Sequence, residues 1–150
     1  MLPAMVLLLL AAPPEPPKFT EAAQKELKKL EGKWEVILIE ANGKSYEPEK
    51  GEILLIIKGT KLSFPRGEKV VSAEAEFVSL DSKTSPKCID FRIVELADRK
   101  RDDPIVEAIY KLDGDTLHMS SYHGKDKNRS ANFDPPKDSD TQHVVYRRVK

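Results

Sequence analysis

From Trp34 onward, apolar and polar residues alternate with a period of two, and short clusters of turn residues interrupt the alternation. The clearest stretch is Lys69 to Leu80, where Val71, Ala73, Ala75 and Phe77 fall on one face and Ser72, Glu74 and Glu76 on the other. Lys87 to Glu95 repeats the pattern, with Ile89, Phe91 and Ile93 opposite Cys88, Asp90 and Arg92. The same reading predicts strands over Trp34 to Glu40, Glu52 to Lys58, Lys61 to Phe64, Ile105 to Leu112, Thr116 to Tyr122 and Gln142 to Val149. Asn42-Gly43, Gly59-Thr60, Pro65-Arg66-Gly67-Glu68 and Asp113-Gly114-Asp115 supply tight turns, and a polar loop runs from His123 to Asp140.

These are eight strands joined mostly by hairpin-length turns, with no crossover helix between them, so the sheet is expected to be antiparallel. Strands in up-and-down order can close on themselves and remove the exposed edges. An open sandwich would need longer connections between its sheets. The predicted fold class is therefore all-β: an eight-stranded antiparallel up-and-down barrel with a short N-terminal helix. Two strands break the alternation. Val36-Ile37-Leu38-Ile39 and Ile53-Leu54-Leu55-Ile56-Ile57 are apolar on both faces and call for cover on both, from the helix or from a second copy of the chain.

Ahead of the strands the period is helical. Phe19, Ala23, Leu27 and Leu30 form one stripe. Thr20 is placed to cap the helix, Glu21 suits its positive N-terminal end, Lys28 and Lys29 suit its C-terminal end, and Gly32 ends it. Before that lie Pro13-Pro14-Glu15-Pro16-Pro17, a stiff extended linker, and the apolar run Ala4 to Ala12. The run is far shorter than the ~20 residues of a membrane-spanning helix and suits the core of a secretory signal. The organisation read from the sequence is a signal over 1–12, a proline-rich linker over 13–19 and a barrel domain over 20–150. An exported protein, periplasmic or extracellular and not membrane-spanning, is the expectation.

Composition removes some function classes. Lys plus Arg and Asp plus Glu are equal at 25 each, so no global basic field draws the chain to nucleic acid. The single cysteine, Cys88, has no partner for an intramolecular disulfide and is read as structural or incidental. The three histidines, His118, His123 and His143, cluster near the end of the chain. If the last two strands form a hairpin, His118 and His143 share a face. Alternation with Leu117 and Met119 turns His118 to solvent, and no Cys or carboxylate is spaced to complete a metal set. No metal or cofactor is expected. The sequence holds no nucleophile elbow, phosphate loop or dinucleotide fingerprint. Ser120-Ser121 near His123 reads as a polar hairpin end, and the mixed run Asp98 to Asp103 as a solvated loop.

Leu30-Glu31-Gly32-Lys33-Trp34 contains a Gly-x-Trp at the start of the first strand, after a short helix, and so resembles the lipocalin opening motif. That resemblance implies that Trp34 plugs the closed end of the barrel and that an Arg of the last strand lies across its ring. Arg148 fits by position, whereas Arg147 alternates to the opposite face. Together Gly32, Trp34 and Arg148 are the implied barrel-closing motif. Haem-binding barrels of similar architecture carry extra glycines after the Trp, which Glu35-Val36 lack. The chain also resembles an uncharacterised lipocalin-like domain family of planctomycete bacteria. It does so through Leu30 to Val36, Asn42-Gly43-Lys44, Ser85 to Phe91, Ile109 to Leu117 and Arg147 to Lys150. This resemblance implies a bacterial, exported, eight-stranded barrel and no established activity. The departures are the charged loop Ala97 to Pro104 and the loop bearing Asp134-Pro135-Pro136, both at the expected open rim.

The barrel interior is the candidate site. Val36, Leu38, Phe64, Ala75, Phe77, Phe91, Ile93, Tyr110, Leu117 and Met119 are predicted to point inward. Eight strands enclose a space that side chains fill or that holds one small ligand. Three readings follow. The first is a non-enzymatic binding protein for a small apolar or amphipathic ligand, monomeric or weakly dimeric. The second is an interaction module with a packed core, docking through the doubly apolar strands. The third is a small hydrolase or isomerase at the barrel mouth, using Tyr110, Tyr122 or His123.

Overall fold

The computed structural model describes residues 18–66, 69–96, 105–124 and 129–150. The predicted signal, most of the proline linker and the loop Ala97 to Pro104 lie outside the described residues. The elements are α1 (Glu21–Leu30), β1 (Gly32–Ala41), β2 (Lys44–Tyr46), β3 (Leu54–Lys58), β4 (Lys61–Arg66), β5 (Lys69–Asp81), β6 (Lys87–Leu96), β7 (Ile105–Asp113), β8 (Thr116–Tyr122) and β9 (Thr141–Arg148). Each strand from β3 to β9 pairs antiparallel with the next, β1 pairs with β3, and β9 returns to pair with β1. That last pairing closes an eight-stranded antiparallel barrel and excludes the open sandwich.

The short strand β2 was not foreseen. Asn42 and Gly43 both take positive φ, at 52° and 71°, so the predicted tight turn forms. Lys44 to Tyr46 then pair back on Ala41 to Ile39 along the edge of β1 that β3 leaves free. A three-residue exposed strand has too little alternation to stand out in a sequence.

Local sequence explains the helix. Thr20 Oγ1 accepts from Ala23 N at 3.1 Å as the predicted cap. Ala23, Leu27 and Leu30 are buried on one face, and Glu26 is buried with them. The helix covers the end of the barrel, with Leu27 and Leu30 in the same apolar cluster as Trp34. It does not cover the outer sides of β1 and β3. There Ile37 and Leu38 stay half-buried and Ile56 is 37 % exposed.

One predicted inward residue is corrected. Leu38 does not belong to the core. The β1–β9 register shifts between Val36 and Leu38, so that Val36 faces Tyr146 but Leu38 faces Val145. The extra residue, Ile37, reverses the alternation, and Ile39, opposite Val144, takes the inward place. Val36, Ala75, Phe77, Phe91, Tyr110, Leu117 and Met119 are in the core as expected, with Phe64 and Ile93 packed partly buried against it.

Candidate functional site

The two ends of the barrel differ. At the closed end Trp34 is fully buried and its Nε1–H donates to Leu30 O at 2.9 Å, tying helix to barrel. The Arg148 guanidinium lies 4.2 Å from the Trp34 ring centroid, a cation–π contact worth about 0.5–2 kcal/mol. It also donates to Glu31 O at 2.7 Å and Lys29 O at 2.8 Å, two carbonyls left open at the helix C-terminus. Gly32 is required here twice over. Its φ is +132°, and a Cβ would stand 3.0 Å from Arg148 Nη1. The glycine, the tryptophan and the arginine thus form one physical unit.

Beside them sits a polar group that the sequence reading did not name. Glu26 occupies the helix stripe between Ala23 and Leu30 and accepts from Tyr110 Oη at 2.9 Å, Lys87 Nζ at 3.0 Å and Lys29 Nζ at 2.7 Å. Burial alone would raise its pKa, but these hydrogen bonds outweigh burial and hold the carboxyl at about 2. The signal was available. A carboxylate on the apolar stripe of a helix must find partners when the stripe is buried.

The inward face from there to the other end is apolar. Leu55, Phe77, Ile89, Ala108 and Leu117 are completely buried. Farther along, burial is mixed: Val106 and Ala108 are fully covered. Met119 is 5 % exposed, Phe91 7 % and Val144 9 %, and Phe64, Ile93, Ile39 and Ile53 are only partly buried. The barrel is therefore plugged at the helix end; toward the other end Phe64, Ile93 and Ile39 are partly buried while Val106 and Ala108 are fully covered. Near that mouth the inward positions turn polar but stay uncharged: Ser121 and Gln142 pair across β8 and β9, and Ser121 Oγ lies 2.7 Å from His123 Nε2. Tyr146 also faces inward, opposite Val36 and Leu117. The residues suggested for chemistry do not converge. Tyr110 is bound to Glu26 at the closed end, Tyr122 alternates outward, and His123 stands at the mouth.

Outside the barrel, the segment from Arg129 to Asp140 crosses the wall formed by β6 to β9. Arg129 grips both carboxylate oxygens of Asp90 and the carbonyl of Ala108. At the far end Asp138 N donates to Asn42 Oδ1 at 3.0 Å. Between them Phe133 packs 6.2 Å from the His118 ring and 5.9 Å from that of His143, with Lys111 Nζ 5.0 Å from its own ring. His118 and His143 do share a face, with Nδ1 and Nε2 3.1 Å apart, and His143 Nδ1 lies 3.2 Å from Glu40 Oε1. Glu40, an acceptor, places a proton on His143 Nδ1. His118 thus faces outward as alternation required, but Phe133 partly covers it. A lone aromatic in a polar loop was the signal for this cover. Among the described residues no group of three or more His, Cys, Asp or Glu is arranged to hold a metal ion.

Burial, then Lys111 and His143, push the His118 pKa below its usual value, against an opposing pull from Asp113. The unfolded chain therefore binds a proton at His118 more readily than the folded one. Stability from this site is complete above the unfolded value near 6.5 and declines as pH falls through it toward the lowered folded value. The denaturation midpoint of His118→Gln is expected to change less between pH about 7.5 and about 5.5 than that of the wild type. Parallel profiles for the two proteins would contradict this.

Cys88 alternates outward on β6 as a free thiol, with Thr84 Oγ1 3.4 Å from its sulfur. Arg147 also points outward, donating to Glu35 from Nη2 at 2.7 Å and holding that carboxyl below the usual carboxylate range. Among the described residues no helix is long and apolar enough to cross a membrane. Compared with family models, curated proteins and solved structures, the chain matches none.

Proposed function

We propose that the chain is an exported, non-enzymatic, lipocalin-like binding protein, a monomer or weak dimer, whose barrel takes up one small apolar or amphipathic molecule. The observation that carries this reading is the difference between the barrel's ends. Trp34, Arg148 and the helix seal one end, whereas Phe64, Ile93 and Ile39 toward the other are only partly buried. Apolar surface left accessible inside a concave wall gains by covering itself with an apolar ligand. The run Ala4 to Ala12 and the prolines after it support export, and the Gly32, Trp34 and Arg148 unit supports membership of the planctomycete lipocalin-like family.

Titration of the protein with Nile red, an uncharged dye whose emission shifts to the blue in apolar surroundings, tests the reading. Saturable blue-shifted emission at one dye per chain is expected. Emission that stays at its aqueous position throughout would contradict it.

A further inference from the structure

We infer that the lumen selects uncharged amphipathic molecules bearing a hydroxyl or carbonyl group, and that the Tyr146 phenol is the protein group that meets this function. The inference rests on the proposed lumen-binding role and adds the chemistry of what is bound.

Tyr146 is a large polar side chain on the inward face, 6 % exposed, between Val36 of β1 and Leu117 of β8. Its hydroxyl takes no hydrogen bond among the described residues. The contrast with Tyr110 is direct, since that buried phenol is satisfied by Glu26. The fully enclosed side-chain polar atoms without a partner among the described residues are Ser120 Oγ and Ser130 Oγ. The Tyr146 ring lies in the same apolar cluster as Val36, Leu117 and Val144. Burial pushes this phenol's pKa up, so it is a neutral donor at physiological pH. Buried hydroxyls are nearly always hydrogen-bonded, and one held without a protein partner inside an apolar barrel marks where a ligand's oxygen or a water belongs.

Charge sets the rest of the specificity. Lys87 and Arg148, on the inward side at the closed end, are both engaged: Lys87 with Glu26, and Arg148 with the Trp34 ring and the carbonyls of Glu31 and Lys29. Around Tyr146 the inward side chains of β1, β8 and β9 are apolar, namely Val36, Leu117, Met119 and Val144, and Ser121 and Gln142 beyond them are neutral. A carboxylate head group placed there would lose its hydration with no cation to replace it. A hydroxyl or carbonyl would instead accept a hydrogen bond from the Tyr146 O–H without burying a charge.

The test compares dodecanol with dodecanoate, which share one chain length, as displacers of Nile red from the full chain at about pH 7.5, where the carboxylate is ionised. Dodecanol is expected to displace the dye at roughly tenfold lower concentration than dodecanoate. In Tyr146→Phe its advantage over dodecanoate, a ratio in which the dye's own affinity cancels, is expected to fall by roughly tenfold, the equivalent of one net hydrogen bond of about 1.4 kcal/mol. Equal or better displacement by dodecanoate would overturn the selection for neutral ligands. Unchanged dodecanol affinity in Tyr146→Phe would overturn the role of Tyr146, and so would failure of dodecanol to displace a dye that does bind. Failure of the wild type to bind dye at all would instead remove the lumen reading beneath it. Infrared spectra of bound 2-dodecanone in the wild type give a readout independent of the variant's folding. A carbonyl stretch lowered by hydrogen bonding is expected, and a stretch at its value in alkane would overturn the assignment.

Discussion

Replacing Trp34 with alanine is expected to destabilise the protein by ~3–5 kcal/mol, the range for deleting a large buried aromatic side chain. The indole is fully buried and simultaneously makes three contacts: the apolar cluster with Leu27 and Leu30, the hydrogen bond to Leu30 O at 2.9 Å, and the face of the Arg148 guanidinium at 4.2 Å. Its loss opens the plug at the point where helix, first strand and last strand meet. A domain of ordinary stability has only about 5–15 kcal/mol to lose, so the variant is expected to unfold at a much lower urea concentration than the wild type. A midpoint shift corresponding to less than about 1 kcal/mol would mean that the indole does not close the barrel.

Replacing Glu26 has the second largest expected effect, and it adds a pH signature. Glu26→Ala leaves the buried Tyr110 hydroxyl and the Lys87 ammonium without their shared acceptor. Both lysines are substantially exposed, with Lys87 at 41 % and Lys29 at 58 % side-chain exposure, so solvent weakens their share. The expected loss at neutral pH is roughly 2–3 kcal/mol. The sign with pH follows from a carboxyl held at about 2 against an ordinary value of 4.5. Its stabilisation is complete above the unfolded value and is lost as pH falls from 4.5 through about 2. Wild-type stability is therefore expected to drop across that window more steeply than that of Glu26→Gln. Equal slopes would show that Glu26 is not held ionised by its partners.

Much of this architecture was legible in the sequence because it depends on local chemistry. The alternation in β5 and β6, the glycine-containing turns and the Thr20 cap each specify their element within a few residues. The Gly32, Trp34 and Arg148 unit was legible only through resemblance, since Arg148 reaches back to Glu31 O across the closed barrel. What was not legible came from long-range geometry. The irregularity near Ile37 leaves no mark in a run of four consecutive apolar residues, so Leu38 was placed inward where Ile39 belongs. Glu26 meets Tyr110 and Lys87 only after the helix docks on the barrel end. Phe133 finds His118 and His143 only because Arg129 and Asp138 fix the two ends of its segment. Tyr146 could have been read from its alternation with Val144 and Arg148, but its lack of a hydrogen-bond partner required the assembled interior.

The most direct test of the central claim, that this barrel holds a small molecule, is native mass spectrometry of the protein purified gently from cells. The expected result is a reproducible excess mass on the folded protein that disappears on denaturation, with the released molecule uncharged at neutral pH. A bare-chain mass that stays bare after incubation with dodecanol would contradict it.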